Sequence, residues 1–142
     1  MREPHQILVF PYKKDANGNY LYGVFCRVGK KERWQGIAGG VEEKETWIKA
    51  AQREAFEEAG ISFNAPIIAL KSTCTIPVVQ VTKKFLWQEN VYLIEEHCFG
   101  IDATRETIKL SDEHTKMEWL PYEEACNRLT WDSNKNALWE LN

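Results

Sequence analysis

One amphipathic helix between two groups of strand-like segments most constrains how this chain folds. The run from Thr46 to Ala59 consists mostly of strong helix formers and is followed by Gly60, a residue that commonly ends helices. Small and apolar side chains recur in it at helical spacing: Ile48, Ala51, Ala55 and Ala59. This pattern predicts that one side of the helix faces a core.

The segments around this helix are predominantly strand-like. Residues 6–12 and 20–28 are alternating or apolar runs, and Asn17-Gly18 between them predicts a hairpin turn. We expect further strands at 66–78, 90–101 and 116–120, and helices at 122–129, after Pro121, and at 132–141, capped by Asp132 or Ser133. The glycine-rich segment 34–45 is expected to be a loop. The order predicts an α/β (α+β) sandwich formed by a single domain over residues 1–142.

Three carboxylates converge on one side of the predicted helix. Glu54, Glu57 and Glu58 are spaced i, i+3, i+4, so they lie within about 100° of arc. Like charges this close repel one another, and the helix dipole disfavours them in the last turn. A hard divalent cation such as Mg²⁺ would reverse that cost. The alternative is a solvated acidic face in which Arg53 pairs with Glu57.

The glycine-rich segment before the helix favours the metal interpretation. Residues 39–61 read GGVEEKETWIKAAQREAFEEAGI and satisfy the pattern G-x5-E-x7-R-E-U-x-E-E-x-G-U, where U is apolar. Ala55 occupies the first U position and is at the small end of the apolar residues that the pattern accepts there. This segment resembles the Nudix box, and the chain is identified by it as a member of the Nudix hydrolase family.

The resemblance implies a fold, a reaction and a role for each matching residue. Nudix enzymes cleave a diphosphate linkage with divalent metal held by the box helix, in a mixed sheet between helices. By resemblance the principal metal ligands are Glu54 and Glu58, with Glu57 as a further or water-mediated ligand and the carbonyl of Gly39 as the main-chain ligand. Mg²⁺ is expected, and Mn²⁺ is the alternative. The box scaffold is formed by Glu45, Arg53 and Gly60.

A further carboxylate is expected from a late loop. Many family members place a glutamate six residues before a tryptophan, and here Glu113 lies six residues before Trp119. Glu113 is therefore the candidate for an additional ligand or for the base that deprotonates water. Asp112 and Glu95 are its rivals, and a solvated loop carboxylate is the alternative.

Two separated segments resemble the dihydroneopterin triphosphate diphosphatases within this family. They are Trp34-Gln35 with Val41-Glu42-Glu43, and Leu129-Thr130 with Ser133-Asn134-Lys135. The resemblance nominates Trp34, Trp131, Asn134 and Lys135 for substrate binding, with both tryptophans as stacking platforms or, alternatively, core residues. The chain departs from that group at Arg33, where an aromatic residue is usual, and at Lys44, where glycine is usual.

Several small phosphorylated compounds are compatible with these residues as substrates. One candidate is a pterin triphosphate, and the alternative is a dinucleoside polyphosphate or a general nucleoside triphosphate. A module that senses a nucleotide without hydrolysing it is disfavoured, because a sensor does not need three mutually repelling glutamates.

Composition limits the partners and the compartment. The chain has 142 residues, with 18 basic and 21 acidic side chains and a net charge of −3. This balance argues against a nucleic-acid polymer as partner. No apolar run is long enough to span a membrane, and no signal-peptide pattern is present. The four cysteines have no metal-site spacing. We expect a cytoplasmic monomer or homodimer with reduced thiols.

Overall fold

The computed structural model describes residues 2–27, 29, 31–78 and 91–142, so the predicted strand ends at 28 and 90 lie outside it. The strands are β1 (Arg2–Lys14), β2 (Tyr20–Arg27), β3 (Trp34–Gln35), β4 (Ile37–Glu42), β5 (Ile67–Pro77), β6 (Leu93–Asp102) and β7 (His114–Leu120). The helices in these ranges are α1 (Trp47–Ala59), α2 (Tyr122–Arg128) and α3 (Asp132–Leu141). None of these helices has the length and apolarity needed to cross a membrane.

The described strands form a mixed sheet centred on β1. Its order is β3-β2-β1-β6-β5, with β4 also paired to β1 and β7 to β2. Strand β6 runs parallel to β1, and the remaining pairs are antiparallel. Residues 2–9 of β1 pair with β4, and residues 12–14 pair with β2. Strand β1 therefore links the glycine-rich strand to the rest of the sheet.

Helices cover both faces of this sheet. Ala55 of α1 packs with Ile7 and Val9 of β1, whereas Leu8 packs on the opposite face with Leu138 of α3. This division follows from the strand geometry, because successive side chains point to opposite faces. The predicted α+β sandwich is confirmed.

The predicted limits of α1 are confirmed by its caps. The Thr46 hydroxyl accepts a hydrogen bond from the Lys49 amide at 3.2 Å. At the other end Gly60 has φ +70° and donates its amide to the Phe56 carbonyl at 2.9 Å. A left-handed conformation of this kind favours glycine. Ile48 was expected in the core but is 40% exposed, because the buried arc is shifted towards the alanines.

Two local expectations are wrong. Neither Asp132 nor Ser133 caps α3; the cap residue is Trp131, which makes no side-chain capping bond. The segment 34–45 is not a loop throughout, since it contains β3 and β4. Glycines are rare in strands and often mark a close approach to another group. Here Gly40 adjoins the Arg2 side chain, which a Cβ at position 40 would contact.

A tight turn joins β4 to α1 and contains a strained residue. The Glu45 amide donates to the Glu42 carbonyl at 3.0 Å, and Lys44 in the third position has φ +64°. Positive φ at this position is typical of a type II turn, which favours glycine. The departure from glycine at Lys44 therefore places a side chain in a left-handed conformation.

We predict that Lys44→Gly stabilises the protein. Removing the Cβ relieves a backbone strain of about 1–2 kcal/mol, partly offset by the greater freedom of glycine in the unfolded chain. The expected net gain in the free energy of unfolding is about 0.5–1 kcal/mol, measured by denaturant titration. Lys44→Ala is the control, because it removes the long side chain and keeps the strain. A Lys44→Gly variant less stable than Lys44→Ala would contradict this interpretation.

Candidate active site

Arg53 joins β4 and the following turn to the middle of α1. Its Nε and Nη2 atoms donate to the two carboxylate oxygens of Glu45 at 2.8 and 3.0 Å. Nη2 also donates to the Gly40 carbonyl at 2.8 Å. Paired bonds of this kind fix orientation as well as distance. The bond to Glu45 raises the pKa of Arg53, and the same bond lowers the pKa of Glu45.

The third nitrogen of Arg53 holds two further glutamates. Nη1 donates to Glu54 at 2.8 Å and to Glu57 at 3.2 Å. Glu54 lies directly against Gly39, where an added Cβ would meet the Glu54 carboxylate and displace it. Burial raises the pKa of Glu54, and the Arg53 bond opposes that shift. Glu57 is half exposed at the edge of this group.

Glu58 is the most buried carboxylate of the group. Its side chain is 3% exposed, and one of its oxygens lies 3.5 Å from Nε2 of the buried His114. Neither Glu58 oxygen accepts a hydrogen bond from an amide, hydroxyl or guanidinium of the described residues. Glu58 also contacts the carboxylate of Glu113. Because two ionised carboxylates repel each other, this contact requires a proton shared between them.

This environment shifts the pKa values of Glu58 and Glu113 in opposite directions. Burial, followed by the contact with Glu113, raises the pKa of Glu58 to about 10. The bond to Glu58 lowers the pKa of Glu113, which is exposed. In the metal-free protein near neutral pH, Glu58 is accordingly protonated and Glu113 is ionised.

The donor set fits a hard divalent cation. Glu54, Glu58 and Glu113 offer carboxylate oxygens, Glu57 lies beside them, and Gly39 brings main-chain atoms against Glu54. Mg²⁺ and Mn²⁺ prefer oxygen ligands. A cation would also supply the positive charge that the buried Glu58 oxygens lack.

Two of these carboxylates, Glu54 and Glu113, border a cavity of about 950 Å³, a size suited to a small-molecule ligand. Gly39, Glu54 and Glu113 line one part of it. Three cationic side chains also line it: Arg2, Arg27 and Arg33. The cavity thus combines an acidic group with positive charge suited to phosphate oxygens.

The two separated segments named above meet in space. The Trp34 amide donates to the Thr130 hydroxyl at 3.1 Å, and the Thr130 amide donates to the Trp34 carbonyl at 3.0 Å. The side-chain oxygen of Asn134 accepts from the Gly36 amide at 2.8 Å. Asn134 and Trp131 both line the cavity.

The structure corrects the expectation for Trp34. Trp34 is 5% exposed and packs within the apolar cluster under α2 and α3. Its ring is also covered by Arg128, with the guanidinium carbon 4.9 Å from the ring centroid. Trp34 is a core residue, whereas Trp131 is 40% exposed and lines the cavity. Lys135 is half-buried on α3, outside the described lining.

The late-loop candidates differ in position. Glu113 borders the cavity and contacts Glu58. Asp112 is exposed and is absent from the described lining. Glu95 faces His5 and His97, each at 3.8 Å. Geometry therefore favours Glu113 for the additional carboxylate.

Sequence reasoning missed a polar group in the cavity. Glu96 is 2% exposed, and its Oε2 accepts a hydrogen bond from Gln6 at 2.9 Å. Its Oε1 accepts none from the described residues. Burial raises the pKa of Glu96. The alternation of each strand places Gln6 and Glu96 on a defined face, but their proximity depends on the β1–β6 pairing, for which we found no local signal.

Comparisons with known proteins agree with this geometry. The NUDIX domain profile matches residues 17–139. A NUDIX hydrolase family protein from Listeria monocytogenes has 37% identity and a TM-score of 0.87, over 99% of this chain and 92% of that one.

Two further similarities are to enzymes with named substrates. The dihydroneopterin triphosphate diphosphatase of Haemophilus influenzae is 25% identical over 134 residues, which are 93% of this chain and 83% of that protein. The dihydroneopterin triphosphate pyrophosphohydrolase of E. coli is 25% identical, with a TM-score of 0.76 over 96% of this chain and 93% of that one.

The raised pKa of Glu58 predicts how the metal-free protein responds to pH. Between the ordinary value of 4.5 and about 10, Glu58 keeps its proton when folded and loses it when unfolded. The folded state then binds more protons, so this contribution to stability is complete below 4.5 and is lost as pH rises. We expect the free energy of unfolding, measured in chelator, to fall by up to about 1.4 kcal/mol per pH unit.

Glu58→Gln should flatten this dependence, because an amide does not titrate and can donate to Glu113. Comparing denaturation curves of both proteins at several pH values between pH 5 and pH 9 isolates the effect. Equal pH slopes in the two proteins would show that Glu58 is not held protonated.

Proposed function

Because this chain belongs to the NUDIX hydrolase family, which acts on phosphoric anhydrides, we propose that it is a metal-dependent pyrophosphohydrolase whose preferred substrate is dihydroneopterin triphosphate. The observation that carries the proposal is the shared cavity. It brings Glu54 and Glu113 together with Glu96 and Trp131, which offer a buried acceptor and an aromatic face.

The carboxylate group would hold the metal. Glu54, Glu57 and Glu58, with the carbonyl of Gly39, are the proposed ligands. A bound Mg²⁺ would neutralise polyphosphate charge and make water more acidic. Arg53 keeps Glu54 and Glu57 oriented, and its bonds to Glu45 and Gly40 fix the helix against β4.

Glu113 is the proposed base. Glu113 is an exposed carboxylate at the cavity, and an ionised carboxylate is the state required to accept a proton from attacking water. It borders the cavity, and it contacts Glu58 of the box helix. Arg27 from the same cavity would orient the phosphates.

Glu96 and Trp131 are the proposed contacts of the substrate's pterin ring. A pterin carries adjacent N–H donors on its pyrimidine edge. The Glu96 carboxylate, which Gln6 and Ser133 approach, can accept from such a donor at Oε1. Trp131 presents an exposed aromatic face in the same cavity. Guanine carries the same donor edge, so the substrate test has to include guanine nucleotides.

The substrate assignment predicts a measurable preference. With Mg²⁺, dihydroneopterin triphosphate should be hydrolysed with a kcat/KM roughly thirtyfold above that of GTP, ATP or a dinucleoside tetraphosphate, which corresponds to about 2 kcal/mol. Release of pyrophosphate, and not of single phosphates, is expected. Equal or faster turnover of a nucleotide would exclude the pterin assignment and leave the family reaction intact.

A matched pair of tryptophans tests the ring contact. Trp131→Ala should reduce kcat/KM for the pterin substrate about tenfold, because it removes a stacking face worth about 1–3 kcal/mol. Trp139→Ala is the control, since Trp139 lies on α3, the helix that follows Trp131, is 72% exposed and is absent from the described cavity lining. Equal losses in both variants would contradict a specific contact.

The proposed base predicts a second difference. Glu113→Gln should lower kcat at least ~10²-fold, the lower range for losing a general base, with a smaller change in KM. Asp112→Asn, the neighbouring exposed carboxylate, should leave kcat within about twofold. If Asp112→Asn causes the larger loss, the base has been assigned to the wrong residue.

A further inference from the structure

A second group of metal-binding side chains lies away from the glutamates. In the parallel pairing of β1 with β6, His5 is opposite Glu95 and Ile7 is opposite His97. The ligand atoms of His5, Glu95 and His97 all lie within 4.8 Å of one another. Their neighbours in sequence, Gln6 and Glu96, line the cavity. Because strand side chains alternate between faces, the histidine group faces the α1 side of the sheet.

The two imidazoles are held in a defined orientation. His5 Nδ1 is 3.1 Å from His97 Nε2, and Glu95 Oε2 is 3.8 Å from each nitrogen. The His97 ring stacks on Trp47, the first residue of α1, with centroids 3.4 Å apart and an interplanar angle of 11°. Three elements, β1, β6 and α1, therefore position this group.

The spacing suits a shared cation. Two nitrogen ligands about 2.0–2.1 Å from one tetrahedral ion are roughly 3.3 Å apart, close to the separation of the two imidazole nitrogens. A direct hydrogen bond between neutral imidazoles also gives a distance near 3.1 Å. The titration described below distinguishes a metal site from such a hydrogen bond.

The surroundings leave the ligands available. Glu95 is 60% exposed and borders a smaller cavity of about 400 Å³ together with Thr73 and Thr75. Water ligands can therefore complete the coordination from this side.

We propose that His5, Glu95 and His97 form a separate binding site for a divalent transition-metal ion, best suited to Zn²⁺. Two imidazoles and one carboxylate are typical ligands of Zn²⁺, whereas Mg²⁺ prefers oxygen ligands alone. The glutamates of α1 and the histidine group thus differ in the metals that they select. An ion at the histidine group cross-links the first half of β1 to β6.

Calorimetric titration of Zn²⁺ into the chelator-treated protein tests the proposal. The titration is done with Mg²⁺ in millimolar excess, so that Mg²⁺ competes at the glutamates. We expect one Zn²⁺ bound with micromolar or tighter affinity and a change in tryptophan fluorescence, because Trp47 stacks on a ligand. The Zn²⁺-bound protein should also have a higher Tm.

Two partly exposed ligands provide the variants. His5→Ala should weaken Zn²⁺ binding at least ~10²-fold, more than the usual effect of an indirect partner, and Glu95→Gln should weaken it at least ~10-fold. Glu124→Gln, an exposed glutamate of α2, is the control and should bind Zn²⁺ as the wild type does. Circular dichroism of each metal-free variant checks the fold.

Three results would overturn the proposal. They are the absence of saturable Zn²⁺ binding in excess Mg²⁺, binding that neither His5→Ala nor Glu95→Gln weakens, and binding that Glu58→Gln abolishes. The first indicates that the two imidazoles are only hydrogen-bonded. The last would assign the Zn²⁺ to the glutamates of α1. Unchanged affinity in Glu58→Gln, together with the loss in His5→Ala, supports a second site.

Discussion

The hydrogen bonds of Arg53 are the interaction on which the rest of the site depends. One guanidinium satisfies both oxygens of Glu45, the Gly40 carbonyl and one oxygen each of Glu54 and Glu57. An isolated surface ion pair contributes little to stability, but this side chain connects a turn, a strand and a helix in fixed geometry. Gly39 and Glu54 are in close contact because Arg53 holds α1 against β4.

Glu58, in contrast to the glutamates bound by Arg53, is buried at a cost in stability. It has no cationic partner within salt-bridge distance in the described residues; buried beside Glu113 and His114, it instead retains a proton. Helix stability alone would not select this residue, since a buried carboxylate without donors is costly. Local rules are commonly broken at functional sites, where a ligand compensates the cost. Here a cation is the ligand that the donor atoms fit.

Local signals predicted part of this structure, and nonlocal pairing determined the rest. The limits of α1, the left-handed Gly60 and the convergence of Glu54 and Glu58 follow from helix spacing and capping, so the sequence was sufficient for them. Strand β4 was missed because its glycines have low strand propensity, and it forms only by pairing with β1. The burial of Trp34 likewise depends on α2 and α3, about a hundred residues along the chain.

The register between β1 and β6 determines both faces of the sheet at once. Gln6 and Glu96 are partners on the cavity face, and His5 and Glu95, adjacent to them, are partners facing α1. A slip of one residue would exchange the two faces and disrupt both groups. The Gln6–Glu96 hydrogen bond and the contacts of His5 with β6 therefore stabilise the same pairing. The first half of β1, which carries Arg2 to the cavity, is fixed from both sides of the sheet.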